Sequence, residues 1–248
     1  MRKLLWIMFG MLIATSCEMS KDGDTDFVTD IVGTGGSTAR FAIYGDFLYV
    51  VDNTSINVFD ISDVEDPFYQ TSVDVGWGIE TIYGYKDNLF IGSQTGMFIY
   101  SIQNNGAPVY LSDYVHQTSC DPVIANDEYA YVTTRSGENC GTRLFEANQL
   151  ITLDVTDLTN PFATSEQQMV NPRGLCFFKG DLFVAEGNNG LKQFSLEDPS
   201  NPTLIQFFED IAANDMIALD NTMIITRDEG IYQFGFENND LFLLSPIE

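Results

Sequence analysis

The chain has 248 residues, with 11 lysines and arginines, 36 acidic residues and a formal net charge of −25. Because a phosphate backbone is held by clustered lysine and arginine, this balance excludes a nucleic-acid-binding role and disfavours binding to an anionic membrane surface. A hydrophobic content of 44% is enough to build a core, so global disorder is excluded as well.

The first predicted element is an export signal over residues 1–16. Arg2 and Lys3 form a basic start, and Leu4–Ile13 is an apolar run. A helix of this length rises about 15 Å, roughly half of a bilayer core, so the run is too short to cross a membrane. A basic start followed by a short apolar run is typical of a secretory signal peptide.

The segment Ala14–Cys17 resembles the lipobox of bacterial lipoproteins, with alanine where leucine is usual. The resemblance implies that Cys17 is lipidated, which predicts an outer-membrane lipoprotein of the bacterial cell envelope that faces the periplasm or the cell surface. A plain signal peptide with an incidental Cys17 is the alternative. Residues 17–37 are polar and acidic, which predicts a flexible tether with one short possible strand, Asp26–Val32.

An internal repeat follows the tether. Five strand-like segments align on one large apolar position each, at spacings of 41, 41, 52 and 41 residues. These positions are Tyr49, Phe90, Tyr131, Phe183 and Ile224. A second motif ends in a proline that recurs with the same period, at Pro67, Pro108, Pro161 and Pro202. Two independent markers therefore agree on the period and on one insertion in the third copy.

Each copy contains four short β-prone runs separated by Gly, Asn, Asp or Pro. In the first copy these runs are Phe41–Tyr44, Phe47–Val51, Ile56–Ile61 and Phe68–Val75. Four strands in a repeat of about forty residues are typical of a propeller blade. The sequence therefore predicts an all-β, five-bladed β-propeller of four-stranded antiparallel blades over residues 38–248. The predicted repeats are 39–77, 78–118, 119–172, 173–212 and 213–248.

Three segments resemble LVIVD repeats: Leu48–Asp52, Asp60–Asp63 and Asp198–Pro202. The resemblance extends over about residues 39–248 and is weaker in the second and fifth copies. It implies a β-propeller of exported bacterial lipoproteins, generally without an assigned activity.

The loops between blades and the loops between the second and third strands of each blade share one face of a propeller, which we name the top face. Residues on these loops and around the central mouth form the predicted ligand face. They are Arg40, Trp77, Glu80, His116, Asp121, Arg135, Arg143, Arg173, Asp215 and Arg227. An exposed Trp77 would stack on a sugar or a partner, whereas a buried one would pack between blades. The single histidine cannot build a His-rich metal site, and we expect no metal or cofactor.

All five arginines beyond the export signal fall in top-face loops, whereas Lys86 and Lys179 fall in loops on the opposite face. A planar guanidinium can bind a carboxylate or phosphate through two parallel hydrogen bonds, so this segregation predicts an anionic-ligand site. The alternative is that each arginine pairs with a neighbouring acid and braces the loops.

Cysteine placement adds a structural prediction for an oxidising compartment. Cys120 begins the third repeat and Cys140 lies in its insertion, so we predict a disulfide between them. A loop of this length gives about 3 kcal/mol in the chain-entropy model. Cys176 lies in an apolar run and is predicted to stay a buried thiol. Three free thiols are the alternative.

Three functions remain open at this stage. The preferred one is a monomeric, lipid-anchored, non-catalytic scaffold that binds a protein, a glycan or a small anionic ligand through the top face. A glycosidase-like enzyme would use mouth carboxylates such as Glu80, Asp121 and Asp215, because glycoside hydrolysis needs two carboxyl groups about 5–9.5 Å apart. No known catalytic motif accompanies them, however. A purely structural role in the envelope is the third possibility.

Overall fold

The computed structural model describes residues 36–116, 122–136 and 148–247. These residues form twenty strands in five antiparallel sheets of four, and within each sheet the strands lie in chain order. The first sheet contains β1 Phe41–Tyr44, β2 Phe47–Val51, β3 Ser55–Asp60 and β4 Phe68–Asp74. The second contains β5 Ile79–Tyr85, β6 Asn88–Ser93, β7 Gly96–Ile102 and β8 Pro108–Val115. The third contains β9 Val123–Ala125, β10 Tyr129–Thr134, β11 Gln149–Asp154 and β12 Phe162–Gln168. The fourth contains β13 Leu175–Phe178, β14 Asp181–Ala185, β15 Leu191–Ser195 and β16 Thr203–Phe208. The fifth contains β17 Asp215–Leu219, β18 Thr222–Arg227, β19 Gly230–Glu237 and β20 Asp240–Ile247.

The first strands of the five sheets contact one another in series, from β1 through β5, β9 and β13 to β17. This arrangement is consistent with the predicted five-bladed propeller, in which the first strand of each blade lines the centre. The large apolar position of each repeat lies in the second strand of its sheet, as the sequence predicts. The predicted export signal, the tether and the possible strand Asp26–Val32 lie outside the described residues.

The second repeat motif forms the connection between the third and fourth strands. In the first and third sheets, the carboxylates of Asp60 and Asp157 accept hydrogen bonds from the backbone N–H two residues later, at 2.9 Å in both cases. Hydrogen bonds from the Ser62 and Thr159 hydroxyls and from these backbone groups lower the pKa of both carboxyls. The motif proline stands just before or at the start of the fourth strand, where no ladder donor is needed. Several of the many acids are therefore turn residues.

The core is divided into four buried apolar clusters, each of which joins two neighbouring sheets. Residues of the first and second sheets form one cluster around Tyr49 and Ile82, and those of the fourth and fifth form another around Phe183 and Met216. Among the described residues, no such cluster joins the fifth sheet to the first. Ser37 and Thr38, which precede β1, form hydrogen bonds with Asp215 of the fifth sheet.

Two tyrosines link neighbouring sheets from within the core. Tyr49 and Tyr131 are both fully buried, and each donates a hydrogen bond of 2.9 Å to a carbonyl in the third connection of the next sheet. The acceptors are Gly106 and Pro199. Burial raises the pKa of both hydroxyls, so they remain neutral donors. The repeat position is therefore both a core residue and, where it is tyrosine, a hydrogen-bonded link between sheets.

Candidate functional site

The described mouth of the top face is crossed by Gly36–Ala39, which we name the mouth strap. The Ser37 hydroxyl is buried, donates to the Asp215 carboxylate at 3.1 Å and accepts from the backbone N–H of Leu175 at 2.7 Å. The Ala39 carbonyl accepts from the backbone N–H of Ile82 at 2.9 Å. The strap therefore connects the second, fourth and fifth sheets across the mouth.

Asp215 holds the strap in place. Its carboxylate also accepts hydrogen bonds from the hydroxyl and the backbone N–H of Thr38. Burial raises the pKa of Asp215, although the bonds from Thr38 and Ser37 oppose the shift. These contacts give Asp215 a structural role beneath the strap and occupy one of the three carboxylates that the glycosidase hypothesis considers.

Beneath the strap lies a cavity of about 130 Å³. It is lined by residues of the second to fifth sheets, including Tyr83, Ile124, Cys176 and Met216, and by Ser37 of the strap. Cys176 is buried and free, as predicted, and burial raises the pKa of its thiol. A thiol with a raised pKa carries little thiolate at neutral pH, so Cys176 is unsuited to act as a nucleophile.

Arg135 and Arg173 form the cationic part of the top face. Arg135 follows directly after β10, and Arg173 directly precedes the short link to β13. The Thr133 hydroxyl donates to the Arg173 carbonyl, which ties the two segments together. Both guanidinium groups are half-buried, and the Nε atom of each is buried without a hydrogen-bond partner. We refer to these two residues as the arginine pair.

Electrostatics at the arginine pair favour an incoming negative charge. Burial lowers the pKa of the Arg135 guanidinium, and the positive charge of Arg173 lowers it further, while Glu80 acts in the opposite direction. Glu80 is half-buried in β5 and accepts a hydrogen bond from the Gln94 amide at 3.2 Å. The structure thus brings three predicted residues, Glu80, Arg135 and Arg173, into one electrostatic neighbourhood.

Arg173 is positioned by neutral partners. Its Nη1 donates to the side-chain oxygen of Asn214, whose amide in turn donates to Asp228 at 2.8 Å. Gly187 packs against the guanidinium, since a Cβ built there would lie 2.8 Å from Nε of Arg173, and its φ of 61° also favours glycine. The guanidinium is therefore fixed in place, and no acid in the described part of the chain forms an ion pair with it.

The other described arginines are separate from the pair. Arg40 is exposed just before β1. Arg227 ends β18, and its guanidinium carbon lies 4.5 Å from the ring centre of Tyr232 and 5.1 Å from that of Phe234. Within residues 36–116, 122–136 and 148–247, ion pairs are made by lysines and no arginine takes part. Among the described residues, no acid therefore forms an ion pair with Arg40, Arg135, Arg173 or Arg227.

Two further predicted residues flank the mouth. Trp77 is 71% exposed in the link from β4 to β5, so it does not pack between sheets. Its neighbours Gly76 and Gly78 have φ values of 117° and 86°, a region that favours glycine and lets the link present the indole outward. His116 is half-buried after β8, with its ring centre 6.4 Å from that of Tyr114.

Five predicted residues cannot be placed, because Cys17, Cys120, Asp121, Cys140 and Arg143 lie outside the described residues. The lipidation and the disulfide therefore stay predictions. In the described part of the chain, no group of three or more His, Cys, Asp or Glu side chains could hold a metal ion. No helix there is long and apolar enough to cross a bilayer.

Sequence reasoning missed one charged pair at this face. Lys192 Nζ lies 2.9 Å from Oε2 of Glu186, whose side chain is fully buried, and the other Glu186 oxygen accepts from the backbone N–H of Val170. Lys192 lies in β15 and Glu186 in the loop that precedes this strand, and a local repeat comparison carries no signal for their contact. This lysine, unlike the arginines, has its acid partner.

Five meandering sheets arranged around a mouth define the class of the molecule, which is a β-propeller. More narrowly, residues 35–75 match the family model of the LVIVD repeat, so the chain carries an LVIVD repeat and the resemblance is confirmed there. No curated protein matches the chain in sequence.

Solved β-propeller structures resemble the fold at low sequence identity. The Pseudomonas aeruginosa periplasmic gluconolactonase PpgL superposes with a TM-score of 0.63 and 10% identity, over 82% of this chain and 67% of that chain. Hsv2p of Kluyveromyces lactis superposes with a TM-score of 0.52 and 13% sequence identity, over 81% of this chain and 59% of that chain. A functionally unknown protein of Desulfotomaculum acetoxidans superposes with a TM-score of 0.51 and 14% sequence identity, over 81% of this chain and 79% of that chain. This chain thus spans about three fifths of the yeast protein, and at these identities the likeness concerns the fold alone.

Proposed function

We propose that this protein is a non-catalytic binding module whose top face holds an anionic group, a carboxylate or a phosphate, between Arg135 and Arg173. The observation that carries the proposal is a pair of half-buried guanidinium groups with buried, unbonded Nε atoms and no ion pair to any acid of the described residues. Taking a charge out of water is unfavourable unless a partner compensates it. An anion from solution would supply that compensation.

The surroundings of the arginine pair suit a selective site. The chain carries a net charge of −25, so positive potential is confined to a small area of an acidic surface. Arg173 is held by Asn214 and Gly187 before any ligand arrives, which reduces the ordering cost of binding. Trp77, exposed on the same face, offers an aromatic surface on which a sugar ring could stack.

Calorimetric titration of residues 18–248 with inorganic phosphate, glucuronate and citrate tests the proposal. At least one probe should bind, and Arg135→Gln or Arg173→Gln should each weaken it by about 1.5–3 kcal/mol, the range for charge-assisted hydrogen bonds, or at least tenfold. Lys86→Gln/Lys179→Gln, which removes the same charge from the opposite face, is the matched control. Equal binding by Arg135→Gln/Arg173→Gln and wild type would refute the site.

We also propose that the mature protein is exported and anchored by lipid on Cys17, in the outer membrane of a bacterial envelope. The basic start, the short apolar run and the lipobox-like Ala14–Cys17 support this. Mass spectrometry of the mature N-terminus after expression in a Gram-negative host should find a diacylglycerol-modified Cys17, and Cys17→Ala should lose the membrane fraction. An N-terminus without lipid would instead favour the alternative, a plain signal peptide with an incidental Cys17.

A hydrolase is the second candidate, because Glu80 lies close enough to Arg135 to influence its pKa. Such a carboxylate beside an arginine could act on a sugar derivative, although Asp215 is held under the mouth strap. A panel of glycosides and sugar lactones should show no turnover. Turnover by the wild type that is lost in Glu80→Gln would favour the enzyme instead.

A further inference from the structure

A continuous row of residues leads from Trp77 to the arginine pair. Gly78 follows Trp77 and packs against the Gln94 side chain, since a Cβ built at Gly78 would lie 3.1 Å from both Cβ and Cγ of Gln94. The backbone N–H of Gln94 also donates to the Gly78 carbonyl at 2.9 Å. The Gln94 amide donates to the carboxylate of Glu80, whose charge acts on Arg135. The exposed indole and the guanidinium groups therefore belong to one stretch of the top face.

This row is short. Trp77 and Glu80 are three residues apart, so their Cα atoms lie at most about 10 Å from each other. Glu80 and Arg173 both act electrostatically on Arg135, which brings the arginine pair close to Glu80. A ligand that contacts both the indole and the arginine pair therefore needs only the length of a short oligosaccharide.

The groups of the row suit different parts of a sugar acid. The face of an indole is apolar and electron-rich, so the C–H groups of a sugar ring can pack on it. The Glu80 carboxylate has acceptor sites beyond the one that Gln94 uses, and sugar hydroxyls are donors. The arginine pair supplies planar donors for a carboxylate. Together these groups fit a sugar acid better than a bare anion.

Charge restricts the ligand further. Glu80 places a negative charge near the arginine pair, and the whole chain carries a net charge of −25. Like charge repels a phosphate dianion or a polyanionic polysaccharide more strongly than it repels a single carboxylate. The electrostatics therefore favour a glycan in which one carboxylate stands among neutral sugars.

We propose that the ligand of the top face is a short glycan that contains one uronic acid. Its carboxylate binds between Arg135 and Arg173, its hydroxyls donate to Glu80, and the neighbouring neutral sugar stacks on Trp77. The inference rests on the proposed function, because it uses the same arginine pair. It adds a ligand class to that function and gives Trp77 and Glu80 binding roles.

Calorimetric titration of residues 18–248 with cellobiouronate, a glucuronosyl-glucose, tests the ligand class. Cellobiose is the matched neutral sugar, since it carries a hydroxymethyl group where cellobiouronate carries the carboxylate. Cellobiouronate should bind at least about tenfold more tightly than cellobiose, because only the acid can bind the arginine pair through charge-assisted hydrogen bonds. Equal binding of the two sugars would overturn the assignment.

A second experiment isolates the aromatic surface. Its readout is the ratio of the affinity for cellobiouronate to that for glucuronate, because only the disaccharide has a second ring to stack. Trp77→Ala should lower this ratio about tenfold. Phe68→Ala is the matched control, since Phe68 is 55% exposed at the start of β4, whereas Trp77 follows the end of that strand. The control should keep the wild-type ratio to within about twofold. An unchanged ratio in Trp77→Ala would contradict the stacking.

The outcomes separate the ligand class from the anion site. Phosphate binding that requires the arginine pair, with equal binding of cellobiose and cellobiouronate, would keep the anion site and overturn the uronic-acid glycan. Cellobiouronate binding that is unchanged in Arg135→Gln/Arg173→Gln would refute both proposals. If none of the probes binds, both proposals fail as well.

Discussion

The bottom-face lysines and the top-face arginines of the propeller differ in their contacts. On the face opposite the top face, which we name the bottom face, Lys86 forms an ion pair with Asp127 of the next sheet, and Lys179 donates to Asn221 of the next sheet at 2.6 Å. On the top face, Arg135 and Arg173 are half-buried and contact no described acid. The bottom-face lysines thus link neighbouring blades, whereas the two top-face arginines have no acid partner among the described residues.

Under the proposed function, contacts that stabilise the fold and groups that bind a ligand lie on different faces of the repeat protein. On the bottom face, polar groups form hydrogen bonds between neighbouring sheets. They include the buried Tyr49 and Tyr131 hydroxyls, which donate to carbonyls in the bottom-face turns. The top face carries the strap and the arginine pair, and the Nε atoms of both arginines have no hydrogen-bond partner within the described residues. Local departures from optimal pairing are expected where a protein binds something else.

The largest expected effect is on the bottom-face links. Tyr49→Phe and Tyr131→Phe should each lower the free energy of unfolding by about 1.5 kcal/mol, because a buried carbonyl loses its donor. Urea unfolding measures this. Tyr69→Phe is the control: its ring is 56% exposed, and the change should stay within about 0.5 kcal/mol. If the core variants were as mild as the control, the hydroxyl links would not contribute.

Arg135→Met should instead raise the free energy of unfolding, by about 1 kcal/mol, while abolishing anion binding. The substitution removes a half-buried charge that lies near the like charge of Arg173. Thermal and urea unfolding of Arg135→Met beside Lys86→Met would measure the contrast. A loss of more than about 1 kcal/mol in Arg135→Met would mean that this arginine braces the loops after all.

Asp215 should give the stability an unusual pH dependence. Burial raises its pKa in the folded state above the ordinary value of 3.8, so the folded protein binds the proton more tightly than the unfolded chain. This contribution is therefore fully present below pH 3.8 and is lost as the pH rises through the folded pKa. Asp215→Asn should remove that slope.

Urea unfolding of wild type and Asp215→Asn between pH 3.5 and pH 7 would isolate the Asp215 contribution as a difference. The difference between the two proteins should move in favour of the wild type as the pH falls. Asp60→Asn is the opposite control, since hydrogen bonds lower the pKa of Asp60 and its contribution is lost on acidification. A pH-independent difference for Asp215→Asn would contradict the burial of its carboxylate beneath the mouth strap.

The smallest effect belongs to the exposed bottom-face ion pair. Lys86→Gln should cost no more than about 0.5 kcal/mol, because exposed pairs are screened by water and salt. The same comparison in 0.5 M NaCl should reduce the cost further. A larger, salt-insensitive loss would show that Lys86 acts through its stem or the neighbouring ring of Tyr85, which lies 5.5 Å from its ammonium nitrogen.

Much of the fold follows from sequence because a repeat shows its own period. The four runs of the first copy match β1 to β4 to within one residue at each end, since alternation and turn residues are local signals. The candidate site was harder to predict. The position of Arg173 was predictable from the repeat, but its contact with Asn214 and its distance from any acid depend on how two loops pack.

The mouth strap was not predictable from the sequence either, because its contacts also depend on how distant segments pack. Gly36–Ala39 looks like the end of a polar tether, and only the packed structure shows that Ser37 bridges Leu175 and Asp215. The same contacts changed the interpretation of Asp215, which the sequence offered as a mouth carboxylate. Polar links between residues more than 100 positions apart leave no pattern in a single sequence.

The most direct test of the account is a crystal of residues 18–248 soaked in selenate, whose selenium is located by anomalous scattering. The account predicts a peak within hydrogen-bond distance of both Arg135 and Arg173, which is absent in Arg135→Gln/Arg173→Gln crystals of the same form. Selenate bound only at Lys86, Lys179 or lattice contacts, with the arginine pair empty, would contradict it.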